Sequence, residues 1–370
     1  MSYESTAEPI KFGYLFDFVL PDAYPAEMRA DLTQTFELVF RQGFERGVID
    51  RPVEIVFREV EGLPKGTVKA VIDAYGELVD EGCLAIFGPA ITDNCVPTRE
   101  VIEQRFHVPA ISVTGTDDWL GEWTFSLPMG SMTDEPIFWA DLAANAGYTE
   151  VGVLVEQSLV GQTYVTNFRQ ACRDRDLRIV AEVPIAQTAQ DVTDAVAKLY
   201  EAKPHAIVHC GFGFGMFGVN TALEALDWDP PRFMGTAFEN AYLNPLLWQA
   251  MMGWTGLDQF DEGNPVGQRF LDEYEEAYGR RPEMCVLPVN RDLATVILRA
   301  FADAHPLSPR GVQEALERVK MVPAASGSPG TRLSFGKWTR RGWMGPGYLV
   351  ARKLDADGAH THLVRRFSEG

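Results

Sequence analysis

Residues 83–116 read "CLAIFGPAITDNCVPTREVIEQRFHVPAISVTGT", and the order of chemistry along this stretch decides the fold. "CLAIF" is a short continuous apolar run, the pattern of a strand buried on both faces. A polar elbow, "GPAITDN", follows, then a helical pattern in "VPTREVIEQRF" and a second apolar run in "VPAISV". Strand, helix and strand joined by short loops build a parallel pair, because a right-handed crossover packs the helix back onto the sheet.

The cycle extends in both directions. "IKFGYLF" (10–16) is another apolar strand, and the segment after Pro25 repeats Met28, Leu32, Phe36, Val39 and Phe40 near period 3.6. "VEIVFREV" (53–60) alternates as a strand, and "TVKAVIDAYGELVDEG" lays Val68, Val71, Ile72, Tyr75, Leu78 and Val79 on one stripe between a Thr67 cap and Gly82. Residues 114–136 are rich in Gly, Thr, Asp and Pro with no helical stripe, which reads as the way out of a first lobe. A second series begins with "PIFWADLAANAGY" and "EVGVLVE" (150–156) and runs through "HAIVHCG" (205–211) to "PRFMGTAF". Two long helical patterns, "GQRFLDEYEEAYG" and "RDLATVILRAFADA", then return the chain to the first lobe, and "TRLSFG" with "GYLVARKL" reads as a closing antiparallel pair. The fold class is therefore α/β: two doubly wound parallel-sheet lobes with a hinge, lobe 1 from 1–122 plus about 256–335 and lobe 2 from about 123–255 plus 336–370.

Composition narrows the function. A chain of 370 residues fits two ordinary domains, and 46% hydrophobic with 23% charged residues is globular material. With 33 Lys and Arg against 52 Asp and Glu, the net charge of -19 opposes nucleic acid and anionic lipid, so neither nucleic-acid binding nor direct membrane insertion is expected. The N-terminus has no cationic region ahead of an apolar run. The expected location is cytoplasmic if Met1 is the native start and periplasmic if a signal peptide has been removed. The five cysteines show no CxxC and no metal-ligand spacing, and neither histidine pair (His205 with His209, His360 with His362) has a third ligand nearby. Neither a metal nor a cofactor is expected.

In open parallel sheets ligands bind beyond the carboxyl ends of the strands. Three readings of the elbow stand side by side. Thr92, Asp93 or Asn94 caps the helix that Pro97 opens; the same groups cradle a ligand; or Cys95 is a nucleophile activated at a helix N-terminus, although no histidine lies near it in sequence. In "GFGFGMFG", Gly213, Gly215 and Gly218 have dinucleotide-site spacing, with Glu239 beyond the next strand. Its place on a third strand and the bulk of Phe212, Phe214 and Phe217 favour a tight strand exit lined by aromatics. No GxSxG elbow occurs.

The order of elements, with "IKFGYLFDF", "AIFGPAITDNCVPTREVIE", "VPAISVTGTD", "EVGVLVEQSLVGQT", "PHAIVHCGFG", "FMGTAFEN" and "FLDEYEEAYGRRP", resembles the type I periplasmic-binding-protein family over residues 9–352. Within it the comparison is with branched-chain amino-acid receptors of ABC transporters and with cytoplasmic amide-sensing regulators of the same fold. The resemblance implies a Venus-flytrap clamp that holds a small-molecule solute and catalyses nothing, with an ABC transporter permease or a cytoplasmic regulatory protein as partner.

Carried over by position, the resemblance puts Thr92, Asp93, Asn94 and Cys95 where the family holds a ligand carboxylate, and Ser112, Thr114, Gly115 and Thr116 where it makes further polar contacts. Phe212 and Phe214 would pack the ligand body, Phe18 or Tyr24 would close the first-lobe side, and Val160 replaces a flanking aromatic. Ala237 stands where a carboxylate normally pairs with an α-ammonium. An unpaired buried ammonium costs several kcal/mol, so an ordinary amino acid fits poorly unless Glu239 or Asp93 substitutes. Arg291 could offer a fork to a carboxylate. The expected ligand has an acid or amide head and an apolar or aromatic body. The alternatives are a cytoplasmic sensor and an NAD-dependent enzyme.

Overall fold

The alternation of apolar strands with amphipathic helices produces two separate α/β units. The computed structural model describes residues 8–18, 26–187, 189, 191–243 and 245–369, and only the backbone of 26–28, 214 and 243. The chain runs β1 (Ile10–Phe16), α1 (Ala26–Glu45), β2 (Val53–Glu59), α2 (Val68–Asp80), β3 (Ala85–Phe87), α3 (Thr92–Val101), β4 (Ala110–Ser112) and β5 (Thr124–Ser126). It continues through α4 (Glu135–Asn145), β6 (Glu150–Glu156), α5 (Leu159–Arg173), β7 (Arg178–Ile185), α6 (Thr193–Ala202), β8 (Ala206–Cys210), α7 (Val219–Ala225), β9 (Arg232–Met234), α8 (Pro245–Met251) and β10 (Thr255–Asp258). The last elements are α9 (Pro265–Tyr278), α10 (Val286–Asp303), α11 (Pro309–Arg318), β11 (Val322–Pro323), β12 (Arg332–Leu333), β13 (Val350–Leu354) and β14 (Thr361–Arg366).

Unit 1 comprises Met1–Met129 and Glu262–Met344, and unit 2 comprises Gly130–Asp261 and Gly345–Gly370. These boundaries lie several residues beyond the positions read from sequence. The stretch taken as an exit contains β5, which pairs with β4, and Ser126 bridges to Arg341, so both segments stay in unit 1. β10 pairs with β9 and so holds 255–258 in unit 2.

The five-stranded sheet of unit 1 is all parallel, in the order β2-β1-β3-β4-β5. Alternation along β1 sends Phe12 and Tyr14 to one face, among Phe36, Phe40 and Phe301 of α1 and α10, and Leu15 to the other, with Val71, Tyr75 and Leu78 of α2. Thr67 caps α2 as its sequence implies, its Oγ1 accepting from Ala70 N at 3.2 Å. Unit 2 has seven strands in the order β14-β13-β10-β9-β8-β6-β7, with only β13 and β14 antiparallel. Trp139, Tyr164 and Phe168 of α4 and α5 pack together, while Leu154, Val196, Leu199, Met216 and Trp254 belong to the core cluster built with α6, α7 and α8.

The expected pairing of "TRLSFG" with "GYLVARKL" is corrected. β12 pairs with β11 in unit 1, and β13 lies between β10 and β14 in unit 2, because β11 and β14 offer β12 and β13 hairpin partners nearer in sequence than the two are to each other. Among the described residues no helix is long and apolar enough to cross a membrane.

Candidate functional site

Each parallel sheet reverses its strand order once. In unit 1 the reversal falls between β1 and β3, and in unit 2 between β6 and β8. At such switch points the loops leaving adjacent strands diverge and leave a crevice.

In unit 1 an acid from β1 spans that crevice. Asp17 follows the last residue of β1 and is 1% exposed. Its carboxylate accepts the N-H of Ala90 at 2.8 Å, the N-H of Ile91 at 3.1 Å and the side-chain amide of Asn94 at 2.8 Å. Asn94 in turn accepts from Leu63 N at 2.9 Å. Burial pushes the Asp17 carboxyl up in pKa, and the bonds from Ala90, Asn94 and Ile91 pull against it. The cap reading of the elbow is therefore corrected. α3 begins at Thr92, the residue before it is Ile91 with no side-chain cap, and Pro97 lies inside the helix. The Asp17 carboxylate, more than seventy residues upstream, instead holds the two N-H groups that lead into the helix, those of Ala90 and Ile91. Gly88, at φ +98°, lets β3 turn here, and a Cβ on it would lie 2.2 Å from the Leu15 carbonyl oxygen.

Around this tether the predicted residues divide by what already occupies them. Ser112 Oγ donates to Pro89 O at 2.6 Å and accepts from Thr114 N at 3.0 Å. Cys95 is fully buried, with Sγ 3.1 Å from Pro89 O, and burial pushes its thiol well above the ordinary value. It is held as a neutral thiol, the opposite of an activated nucleophile. Thr116 caps a short 3-10 turn through Asp118 N, and Gly115 is buried beside it. Thr92 and Thr114 instead face each other, Oγ1 to Oγ1 at 2.9 Å, at the first residue of α3. Asp93 is half-buried in that same first turn.

Phe18 is half-buried and edge-on to Phe16, and Tyr24 lies outside the described residues. Arg291 bonds Asp292 at 3.1 Å and Pro323 O at 3.2 Å. Asp292, fully buried, also accepts from Ala325 N and from Ser326 N and Oγ, so Arg291 belongs to a loop anchor in place of the carboxylate fork expected for it.

Unit 2 repeats the device with a longer acid. Glu156, the last residue of β6 and 1% exposed, accepts from Phe212 N at 2.6 Å, Gly213 N at 2.9 Å and Gly215 N at 3.5 Å, and lies 3.2 Å from His209 Nε2. The amides that a pyrophosphate would need in "GFGFGMFG" are thus occupied by the chain's own carboxylate, which accounts for a dinucleotide-like spacing without a dinucleotide. A Cβ at Gly211 would sit 2.2 Å from the Glu156 carboxyl carbon, so that glycine makes the room.

Phe212 is half-buried with its carbonyl bonded to Asn240, and Phe214 lies in a 3-10 turn, its side chain outside the described set. Val160 is buried in the first turn of α5, which Ser158 caps through Gly161 N. Ala237 is half-buried, packed close to Gly213. Glu239, 6% exposed, lies beside the buried carboxylate of Asp258.

Asp17 and Glu156 escaped sequence reasoning, and so did a third buried acid. Glu135, the first residue of α4 and fully buried, accepts from Thr236 N at 3.1 Å, from Thr236 Oγ1, and from the Tyr164 hydroxyl at 2.5 Å. It holds the loop after β9, where Ala237 and Glu239 reside, and burial pushes its carboxyl up to about 7. Its only signal was an acid directly before Pro136 in an otherwise apolar helix opening.

Two α/β units, each with a carboxylate closing its switch point and polar loops at its strand ends, define the class of two-lobed binding proteins. The chain belongs to the periplasmic binding protein family, whose profile matches residues 9–346. Among solved structures it is similar to a periplasmic binding protein type 1 from Bordetella pertussis Tohama I, with 19% identity over 96% of this chain and 100% of that one and a TM-score of 0.80. A leucine-binding protein from Thermotoga maritima shares 15% identity over 96% and 98% of the two chains, TM-score 0.78. A branched-chain amino-acid ABC transporter protein from Thermus thermophilus with bound valine shares 16% over 97% and 96%, TM-score 0.74. No curated protein matches the chain.

Proposed function

We propose that this chain is a non-enzymatic receptor for a small organic solute bearing a carboxylate or amide head and an apolar or aromatic body, and that it serves as the solute-binding component of an ABC transporter. The observation that carries the reading is the Thr92–Thr114 hydroxyl pair at the start of α3. Two hydroxyls bring two protons, and one suffices for the bond between them. Because Thr114 also interacts with the Cys95 thiol, the O-H that can turn to a third acceptor beside the helix N-terminus is that of Thr92.

Ala237, a methyl group where the family's ammonium-pairing carboxylate stands, argues for a ligand without a free α-ammonium. That would set this chain apart from relatives described as leucine-binding or valine-bound. The transporter role follows the family and carries an extracytoplasmic location with it.

The test is thermal shift of the whole chain against branched-chain amino acids, aromatic acids, amides and NAD(H), followed by calorimetry on any hit. A ligand at 100 times its Kd raises stability by about 2.7 kcal/mol. Stabilisation by acids or amides, weakened in Thr92→Val, supports the reading. Stabilisation by NAD(H) with no response to small acids or amides overturns it.

A further inference from the structure

The charge of the chain is unevenly spread. From Arg318 to Met344 the sequence carries six Lys and Arg and no Asp or Glu, whereas at 52 acids in 370 residues this stretch would hold about four. The segment forms the β11–β12 hairpin of unit 1 and the turn that follows it. Val322 and Leu333 pair across the hairpin and are buried, which sends their neighbours Met321, Pro323 and Arg332 outward.

Gly336 and Thr339 close the next turn through mutual backbone bonds, and Trp338 stands at its tip, 89% exposed. Lys337 Nζ lies 5.3 Å over the indole. Among the described tryptophans Trp228 is half-buried and six more are buried, so one whole ring is presented here. Met321 at 61% and Met344 at 77% add two further exposed apolar side chains.

The cations around the tip keep their charge. Arg318 donates to Asp303 O, Arg332 to Met321 O and Lys320 to Glu317 O, all backbone carbonyls. Arg340 and Arg341, by contrast, are paired with Glu317 and Asp117. Arg318, Lys320, Arg332 and Lys337 are all exposed.

We propose that this acid-free segment, the hairpin with the Trp338 turn that follows it, is a peripheral docking site for a bilayer surface rich in anionic headgroups. An indole is favoured at the interface between headgroups and acyl chains, and Lys and Arg next to it are drawn to the negative surface. Trp338 at the tip of its turn, with Met321 and Met344 elsewhere along the same segment, presents separate exposed apolar points among long cationic side chains, a pattern suited to a yielding headgroup layer. The rest of the chain is correspondingly more acidic and is repelled by the same surface, which orients the molecule hairpin first. The inference does not rest on the solute-binding reading and holds whatever the ligand.

The test mixes the full chain with vesicles of phosphatidylcholine, alone or with phosphatidylglycerol, and reads sedimentation and tryptophan emission. Binding is expected only with phosphatidylglycerol, with a blue shift, and is expected to fade at high salt. Arg332→Gln with Lys337→Gln should bind about 25-fold more weakly, about fivefold for each cation lost. Trp338→Phe should still sediment but lose the blue shift, and each variant should keep the wild-type melting temperature. Equal binding to both vesicle types, or undiminished binding by the double variant, overturns the proposal. So does salt-sensitive self-association without vesicles that the double variant abolishes, which would assign the hairpin to an acidic face of a second copy.

Discussion

The two switch points use one device with different reach. Asp17 accepts two backbone amides and the side chain of Asn94, and beyond it the Thr92–Thr114 pair remains at the start of a helix. Glu156, one methylene longer, fills its glycine turn with contacts from three amides and His209. The loop that looks most like an anion site is the one already holding an anion. The loop that looked like a helix cap is the one left with a hydroxyl to offer.

The comparison can be broken most directly at Glu156. Glu156→Ala strands three amides beneath a buried turn and should cost about 4 kcal/mol in a urea titration. Asp17→Ala, which strands fewer groups, should cost less; the reverse order would show that the longer acid is not the stronger anchor. Glu135 offers the next largest effect, as a function of pH. Its folded carboxyl is raised from 4.5 to about 7, so the folded state holds the proton more tightly than the unfolded chain. The resulting stability is complete below pH 4.5 and is lost as pH rises through 7, about 3 kcal/mol in all. Glu135→Gln should flatten that part of the profile; an unchanged slope would remove Glu135 from the balance.

Asp17→Asn keeps shape but turns an amide toward the Ala90 and Ile91 donors, and should cost about 2 kcal/mol while weakening any ligand response through the start of α3. Thr92→Val is the gentlest variant. Its melting temperature should stay near wild type while affinity for an acid or amide ligand falls about tenfold, one charge-assisted hydrogen bond's worth. Stability lost with affinity retained would make the threonine pair a structural contact.

Much of the fold was legible because it rests on local periodicity. β1 falls on 10–16 as read, and α2 follows its Thr67 cap and its stripe. The errors came where a distant partner intervened. α3 starts five residues before Pro97, where Asp17 fixes the elbow through Ala90, Ile91 and Asn94, and β5 hides in a turn-rich stretch because β4 gives three residues a ladder to join. In the candidate site, residue types alone could not separate Thr92 from Asn94. Both are small, polar and buried, and only their partners differ.

The sequence by itself determined the α/β class, the two series of parallel strands and their exit loops, since apolar period and turn chemistry are properties of neighbouring residues. Only the tertiary structure decided which buried acids close those loops and which polar groups remain at them. A carboxylate's partners are set by what the folded chain brings within 3 Å, and Asp17 and Glu156 find theirs more than fifty residues away.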